Sequence, residues 1–138
     1  MGLFDSNPRA DGKSTPGATA APSTAQPDEE ARVPEVTAGE LLLEQCDTCA
    51  PLLLDCREDY EWQQLRIPGS IHIPMRQIPR RLADIDEHAD IVVVCAHGER
   101  SYRMAGYLIE HGFCARSLRG GLVEWQARGG PLENGYRQ

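Results

Sequence analysis

A chain of 138 residues is long enough for one domain whose core folds unaided. Its formal net charge of −7 argues against a nucleic-acid or membrane partner, because anionic polymers and surfaces attract basic proteins. Five cysteines are an odd count for a disulfide framework and point to a reducing, cytoplasmic setting and to thiol chemistry.

Residues 1–32 are rich in Gly, Pro, Ser, Thr and Ala, as in K-S-T-P-G-A-T-A-A-P-S-T-A-Q-P. Such a segment has too little apolar surface to offset the entropy of ordering, so a disordered N-terminal tail or linker is expected. It has no apolar stretch of secretory type, and no run in the chain is long enough to span a bilayer. Met1-Gly2-Leu3-Phe4-Asp5-Ser6 fits the loose myristoylation pattern M-G-x-x-x-S, a match short enough to arise by chance.

Order is expected from Val33. Thr37-Ala-Gly-Glu40 is a capping-box pattern, and Leu41 to Leu43 supply the apolar face of the helix it opens. Cys46-Asp-Thr-Cys49 follows. Such a C-x-x-C serves as a redox couple, half a zinc site or a turn. No second pair completes a metal site, so no metal is expected. The motif precedes a strand pattern instead of opening a helix, which favours a structural turn.

Pro51-Leu-Leu-Leu-Asp55 reads as a strand buried on both faces. Asp55 and Arg57 fall at its carboxyl end, where Asp55 caps the turn and Arg57 pairs with a carboxylate to anchor the loop. Cys56 points into the core. Glu58 to Leu65 reads as a short helix. Ile67-Pro-Gly-Ser-Ile-His-Ile-Pro74 is a turn followed by a short strand, with His72 in a structural position mid-strand. Arg76, Arg80 and Arg81 surround a short helix running to Ile85. They form either a solvated face or a rim for an acidic or anionic partner.

Ile91 to Ser101 reads I-V-V-V-C-A-H-G-E-R-S. The unbroken β-branched run suits a strand buried on both faces of a parallel sheet. It ends on Cys95. A loop centred on Gly98 follows, and Ser101 opens a helix with Tyr102, Ala105, Leu108 and Ile109 at helical spacing and a stop at Gly112. Cys95 therefore lies at the carboxyl end of a central strand, facing a helix N-terminus, where open α/β sheets place their ligand crevice. One reading makes Cys95 a small buried hydrophobe. The other makes it a nucleophile. The helix N-terminus and Arg100 favour the thiolate, and the N–H groups from Ala96 to Arg100 can turn inward as an anion nest. Gly, Arg and Ser in this order favour the second.

Cys114 to Leu118 is the last strand, with Cys114 as a strand-edge core residue. Arg119-Gly120-Gly121 is a tight turn, Leu122 to Ala127 a closing helix with Trp125 on its apolar side, and Gly129-Gly130-Pro131 ends the regular elements. Strands thus alternate with helices. The fold class is α/β: an open parallel β-sheet of about five strands with helices on both faces, at residues 33–134 after the disordered tail.

C-A-H-G-E-R-S resembles the active-site loop of rhodanese-type sulfurtransferases, whose common form is C-x-x-G-x-R-S. The resemblance extends to L-L-L-D-C-R-E at Leu52 to Glu58, I-P-G-S-I-H-I-P at Ile67 to Pro74 and L-R-G-G-L-V-E-W at Leu118 to Trp125. It covers most of the chain after Val33, as in single-domain members of that family. It implies double displacement. The Cys95 thiolate takes a sulfane sulfur from a small anionic donor, thiosulfate or another persulfide donor, and becomes a persulfide. A thiol, cyanide or a protein sulfur carrier then accepts the sulfur. Ala96, His97, Gly98, Glu99, Arg100 and Ser101 would bind the substrate, Asp55 and Arg57 would support the loop, and no metal or organic cofactor is needed.

Some dual-specificity phosphatases, notably the cell-cycle type, resemble this fold but use C-x5-R. Here Cys95 and Arg100 are spaced C-x4-R, and a tighter ring suits one terminal sulfur better than a phosphoryl group. The alternative from a different class is a thiol-redox or sulfur-sensing module that uses Cys95 without efficient turnover. A relay from Cys95 to Cys56 or Cys114 would need Cα separations below about 7 Å. If Glu99 faces the loop it stands against thiosulfate, since a rim carboxylate opposes both the thiolate and an incoming dianion. It then favours a protein or small-thiol persulfide as donor. The competing picture turns it outward to pair with Arg103 one helical turn away.

Overall fold

The computed structural model describes residues 32–45 and 49–135. The expectations for the N-terminal tail, its acylation pattern and the Cys46 half of the C-x-x-C lie outside the described residues. The elements below belong to the unit that starts at Val33. They are β1 (Glu35–Val36), α1 (Ala38–Glu44), β2 (Leu52–Asp55), α2 (Asp59–Gln64), β3 (Ile71–His72), two 3-10 turns (Met75–Arg80 and Leu82–Asp84), β4 (Asp90–Val94), α3 (Glu99–Glu110), β5 (Cys114–Leu118) and α4 (Gly121–Ala127). No helix among the described residues is long and apolar enough to cross a membrane.

The strands form one sheet in the order β1-β5-β4-β2-β3, and every pairing is parallel. β4 sits at its centre and shows why the sequence carries an unbroken apolar run there. Ile91 and Val93 face one side with Cys95, while Val92 and Val94 face the other. Successive strand side chains point to opposite faces, so a strand covered on both faces has no polar stripe. On the first side, α3 contributes Met104, Ala105 and Leu108, and the 3-10 segment contributes Ile78 and Ile85. On the second, α1 contributes Ala38 and Leu41, and α4 contributes Leu122 and Trp125.

The expected capping box of α1 is present. The Glu40 N–H donates to the Thr37 hydroxyl at 3.1 Å, and the Thr37 N–H donates to the Glu40 carboxylate at 3.0 Å. A cap of this kind contributes about 1 kcal/mol, whereas full burial of Leu41 alone contributes roughly 1.5–3 kcal/mol. Packing therefore holds this short helix more than its cap does.

Three local expectations are corrected. The helix expected to run to Ile85 is two 3-10 turns; Pro79 sits inside the first and supplies no N–H for longer-range helical bonds. The central helix begins at Glu99 and not at Ser101, because Gly98 serves as its N-cap in a left-handed conformation, φ 101°. Cys114 is exposed and opens β5, an interior strand between β1 and β4, so it is neither a core residue nor at a sheet edge.

The strand order sets the site. β2 leads on to β3 on one side of the sheet, and β4 leads on to β5 on the other. Their outgoing loops therefore part at the carboxyl ends of the two neighbouring strands, the place where open parallel sheets form a crevice. Cys56-Arg57 and Cys95-Gly98 both lie there.

Candidate active site

Cys95 follows β4 directly and is 1% exposed. Its sulfur accepts the Gly98 N–H at 3.0 Å and the Ser101 N–H at 3.3 Å. The Ser101 hydroxyl lies 3.4 Å away. The N–H groups of a first helical turn have no partner within the helix, and a glycine N-cap offers no side chain to take one. The Cys95 sulfur fills that place for α3. Donors and a helix N-terminus aimed at one sulfur stabilise negative charge on it.

A second helix holds the loop from outside. The first amides of α4 bond the loop carbonyls: Leu122 N–H to Cys95 O at 2.8 Å and Val123 N–H to Ala96 O at 3.1 Å. With these carbonyls turned outward, the Gly98 N–H points inward to the sulfur. Two glycines permit the contact. Gly121 has φ 62°, and a Cβ there would overlap the Ala96 carbonyl. A Cβ on Gly98 would come within 3.0 Å of the Gly120 nitrogen.

Arg100 projects from the first turn of α3 and forms a two-bonded pair with Glu61 of α2, at 3.0 and 3.1 Å. Glu61 also accepts the Glu58 N–H at 2.8 Å. Burial works against the Glu61 charge, but the Arg100 and Glu58 hydrogen bonds hold its carboxyl below the ordinary value. In turn Glu61 chiefly, then the nearby Cys95 and Cys56, push the Arg100 pKa up. Arg100 thus ties α3 to α2 through Glu61 while its charge still bears on the Cys95 and Cys56 sulfurs, as a cation beside the loop would.

Asp55 and Arg57 are 1% and 4% exposed. The Arg57 guanidinium bonds both Asp55 oxygens at 2.9–3.1 Å, and its own N–H reaches Asp55 Oδ1 at 3.0 Å. Arg57 Nη2 also donates to the Leu65 carbonyl. This closed pair secures the β2–α2 turn beside the cysteine loop. His72 bonds the Arg57 carbonyl at 2.8 Å and stacks on Trp62 with ring centroids 4.8 Å apart, in keeping with its structural position. Of the basic cluster, Arg76 pairs with Glu58 and Arg81 with Asp84.

His97 and Glu99 are exposed at the loop rim, and Ala96 is half-buried. A cleft of about 250 Å³ opens beside the loop, lined by Gln64, Leu65, Ala96, Val123 and Gln126 together with Arg57, Glu61 and Leu122. Cys56 is 1% exposed, and burial, with Cys95 next, pushes its thiol up. Cys114 pairs in register with Asp90, five residues before Cys95, so about 16 Å of strand separates the two cysteines. The Cys95–Cys114 relay is therefore ruled out by distance.

Glu61, Gly121, the α4 amides and Ser117 were not singled out by sequence reasoning. The glycine pair was visible as a turn, but its contact with the Cys95 loop was not. Ser117 is fully buried in β5, and its hydroxyl lies 2.7 Å from that of Ser101.

Comparison with known proteins agrees with this architecture. A sulfurtransferase of Allochromatium vinosum is 36% identical over 101 residues, 72% of this chain and 94% of that protein. A thiosulfate sulfurtransferase of Pseudomonas savastanoi pv. phaseolicola is 36% identical over 77 residues, 55% of this chain and 73% of its own. The crystal structure of a rhodanese-like domain protein from Staphylococcus aureus superposes with a TM-score of 0.68 at 31% identity, over 73% of this chain and 97% of that one. The family model for the rhodanese-like domain matches residues 37–128, a span that holds the cysteine loop and both helices bracing it, and the chain belongs to the rhodanese-like domain family.

Proposed function

We propose that this chain is a sulfurtransferase that carries a sulfane sulfur as a persulfide on Cys95. The observation that carries the reading is the convergence of the Gly98 and Ser101 N–H groups on a buried cysteine sulfur. The Cys95 thiolate attacks the outer sulfur of the donor. A new S–S bond forms, the donor's own S–S bond breaks, and the leaving group departs with the electron pair, as sulfite when the donor is thiosulfate. The inward amides stabilise the anionic persulfide. An acceptor thiolate or cyanide then attacks the outer sulfur and releases the Cys95 thiolate. Covalent catalysis of this kind gives ping-pong kinetics. The chemistry needs no metal or organic cofactor and fits a reducing, cytoplasmic setting. Residues 33–134 carry the activity, and deletion of residues 1–32 leaves melting temperature and turnover unchanged.

The charge pattern favours an organic persulfide over thiosulfate as donor. Asp55 neutralises Arg57 and Glu61 neutralises Arg100. Glu99 forms no ion pair among the described residues and is the unbalanced charge at the rim. Gln64, Leu65, Val123 and Gln126 offer an uncharged cleft wall for the body of a small thiol. A like charge about 6 Å from an anion costs up to roughly 3 kcal/mol before screening. A third of that is about fivefold in affinity, so Glu99→Gln lowers the KM for thiosulfate and high salt shrinks the effect.

Mass spectrometry of the purified protein after exposure to thiosulfate or to glutathione persulfide tests the proposal. One added sulfur on the Cys95 peptide, removed by cyanide as thiocyanate, is the expected result. No added sulfur from either donor would overturn the sulfurtransferase reading. Loading by thiosulfate with the greater kcat/KM would overturn only the donor preference. Negligible hydrolysis of an aryl phosphate is expected from the C-x4-R spacing.

A further inference from the structure

Cys95, Ser101 and Ser117 form a chain of three side chains in the core, none more than 1% exposed. It runs from Cys95 Sγ to Ser101 Oγ at 3.4 Å and on to Ser117 Oγ at 2.7 Å. Ser117 comes from β5, two residues after Ala115, and so faces the side of the sheet that α3 covers. Its backbone N–H is committed to the Pro34 carbonyl at 2.9 Å. Among the described residues its hydroxyl has one partner, Ser101.

The direction of the hydroxyl protons follows from this arrangement. A hydroxyl carries one proton and two acceptor lone pairs. If Ser101 donated to Ser117, the Ser117 proton would have no acceptor in the core, and a buried unpaired donor is costly. In the neutral thiol the Cys95 S–H donates to Ser101 Oγ. Once the sulfur is a thiolate it can only accept, and if Ser117 donates to Ser101 the Ser101 proton is free to turn to the sulfur, so both hydroxyl protons are used. A thiolate, the better acceptor, gains most from that second arrangement.

We propose that Ser117 is a positioning residue: it donates to Ser101 and so aims the Ser101 hydroxyl proton at the Cys95 sulfur as a third donor to the thiolate. The proposal rests on Cys95 being the nucleophile, but its test needs no sulfur donor. The other charged or titratable groups around the sulfur are Asp55 at the end of β2, Cys56 and Arg57 after it, Arg100 with Glu61, and His97 and Glu99 on the loop. None of them is a hydrogen-bond partner of Ser117, whose partners are the Ser101 hydroxyl and the Pro34 carbonyl.

The experiment is the pH dependence of Cys95 alkylation by iodoacetamide, read peptide by peptide so that the other cysteines do not interfere, together with melting temperature. Ser117→Ala should move the profile to higher pH and slow alkylation at neutral pH about threefold to tenfold, the loss expected when a charged acceptor loses one aligned donor. Ser117→Thr and Ser117→Val add nearly the same bulk and differ in the hydroxyl. Thr should restore the wild-type profile and Val should not, even if both lower the melting temperature. A Val profile that superimposes on that of Thr would overturn the proposal, as would an Ala profile that superimposes on the wild type. If wild-type Cys95 takes up no sulfur from any donor while the Thr and Val profiles differ, the proposed sulfurtransferase function fails and the positioning role stands.

Discussion

Cys56 and Cys95 directly follow neighbouring strands and stand abreast of one another, since Asp55 pairs in register with Val94. They lie on the same face of the sheet and are buried alike, at 1% exposure each. Yet burial pushes the Cys56 thiol up, while Cys95 takes the first-turn amides of α3. Depth and strand position therefore do not separate the proposed nucleophile from its neighbour. What distinguishes the two cysteines is one helix, entered through a glycine cap, that directs its orphan N–H groups at one sulfur and not the other.

The largest test of that contrast is Cys95→Ser. It should reduce cyanide-dependent thiocyanate formation by at least about a thousandfold, as removal of a covalent nucleophile does, and leave the melting temperature close to wild type. Undiminished activity would end the assignment of the nucleophile.

Next comes the loop's outer brace. Gly121→Ala places a side chain at φ 62° against the Ala96 carbonyl. The left-handed backbone alone costs about 1–3 kcal/mol, which for a domain of this size lowers Tm by several degrees. Turnover should fall as well, because the loop must shift away from the sulfur. A melting curve and activity equal to wild type would show that the α4 contact is dispensable.

A smaller effect separates the frame from Cys95 by pH. The Glu61 carboxyl is held below its ordinary value. The stability it adds is fully present above the ordinary carboxylate pKa and is lost as pH falls through the lower folded value. Glu61→Gln should therefore lower stability at neutral pH and flatten the acid side of the stability curve. Chemical denaturation across the acidic range reads this directly, and an acid limb parallel to wild type would argue against the pair's contribution.

The smallest effect is expected at the other member of the comparison. Cys56→Ala removes one buried heavy atom at about 1 kcal/mol and should leave kcat/KM within about twofold. A large loss of turnover would mean that Cys56 shares in the chemistry.

Much of this was legible along the chain. The β4 run announced a strand covered on both faces, and the position of Cys95 after it announced the crevice. The start of α3 was misread because local rules look for a capping side chain, and Ser101 offers one. The actual cap is Gly98, and the sulfur of Cys95 bonds the amide that a cap would satisfy. Ser117 and Glu61 were illegible for a different reason. Their partners lie 16 and 39 residues away, and only the sheet order brings them together. Cys114 shows the opposite error: a cysteine in a strand pattern invites burial, but the first residue of a strand can stand exposed at the open end of the sheet.

The bracing of the cysteine loop through its carbonyls has one more consequence. The curvature of the loop is carried by backbone atoms, by α4 and by glycines, so the side chains of His97 and Glu99 stand outside the scaffold that shapes it. Those two positions are free to drift while the surroundings of Cys95 persist. If Cys95 carries sulfur as proposed, the same framework can be retuned from one sulfur donor to another by changes at its rim, with selectivity and reactivity inherited separately.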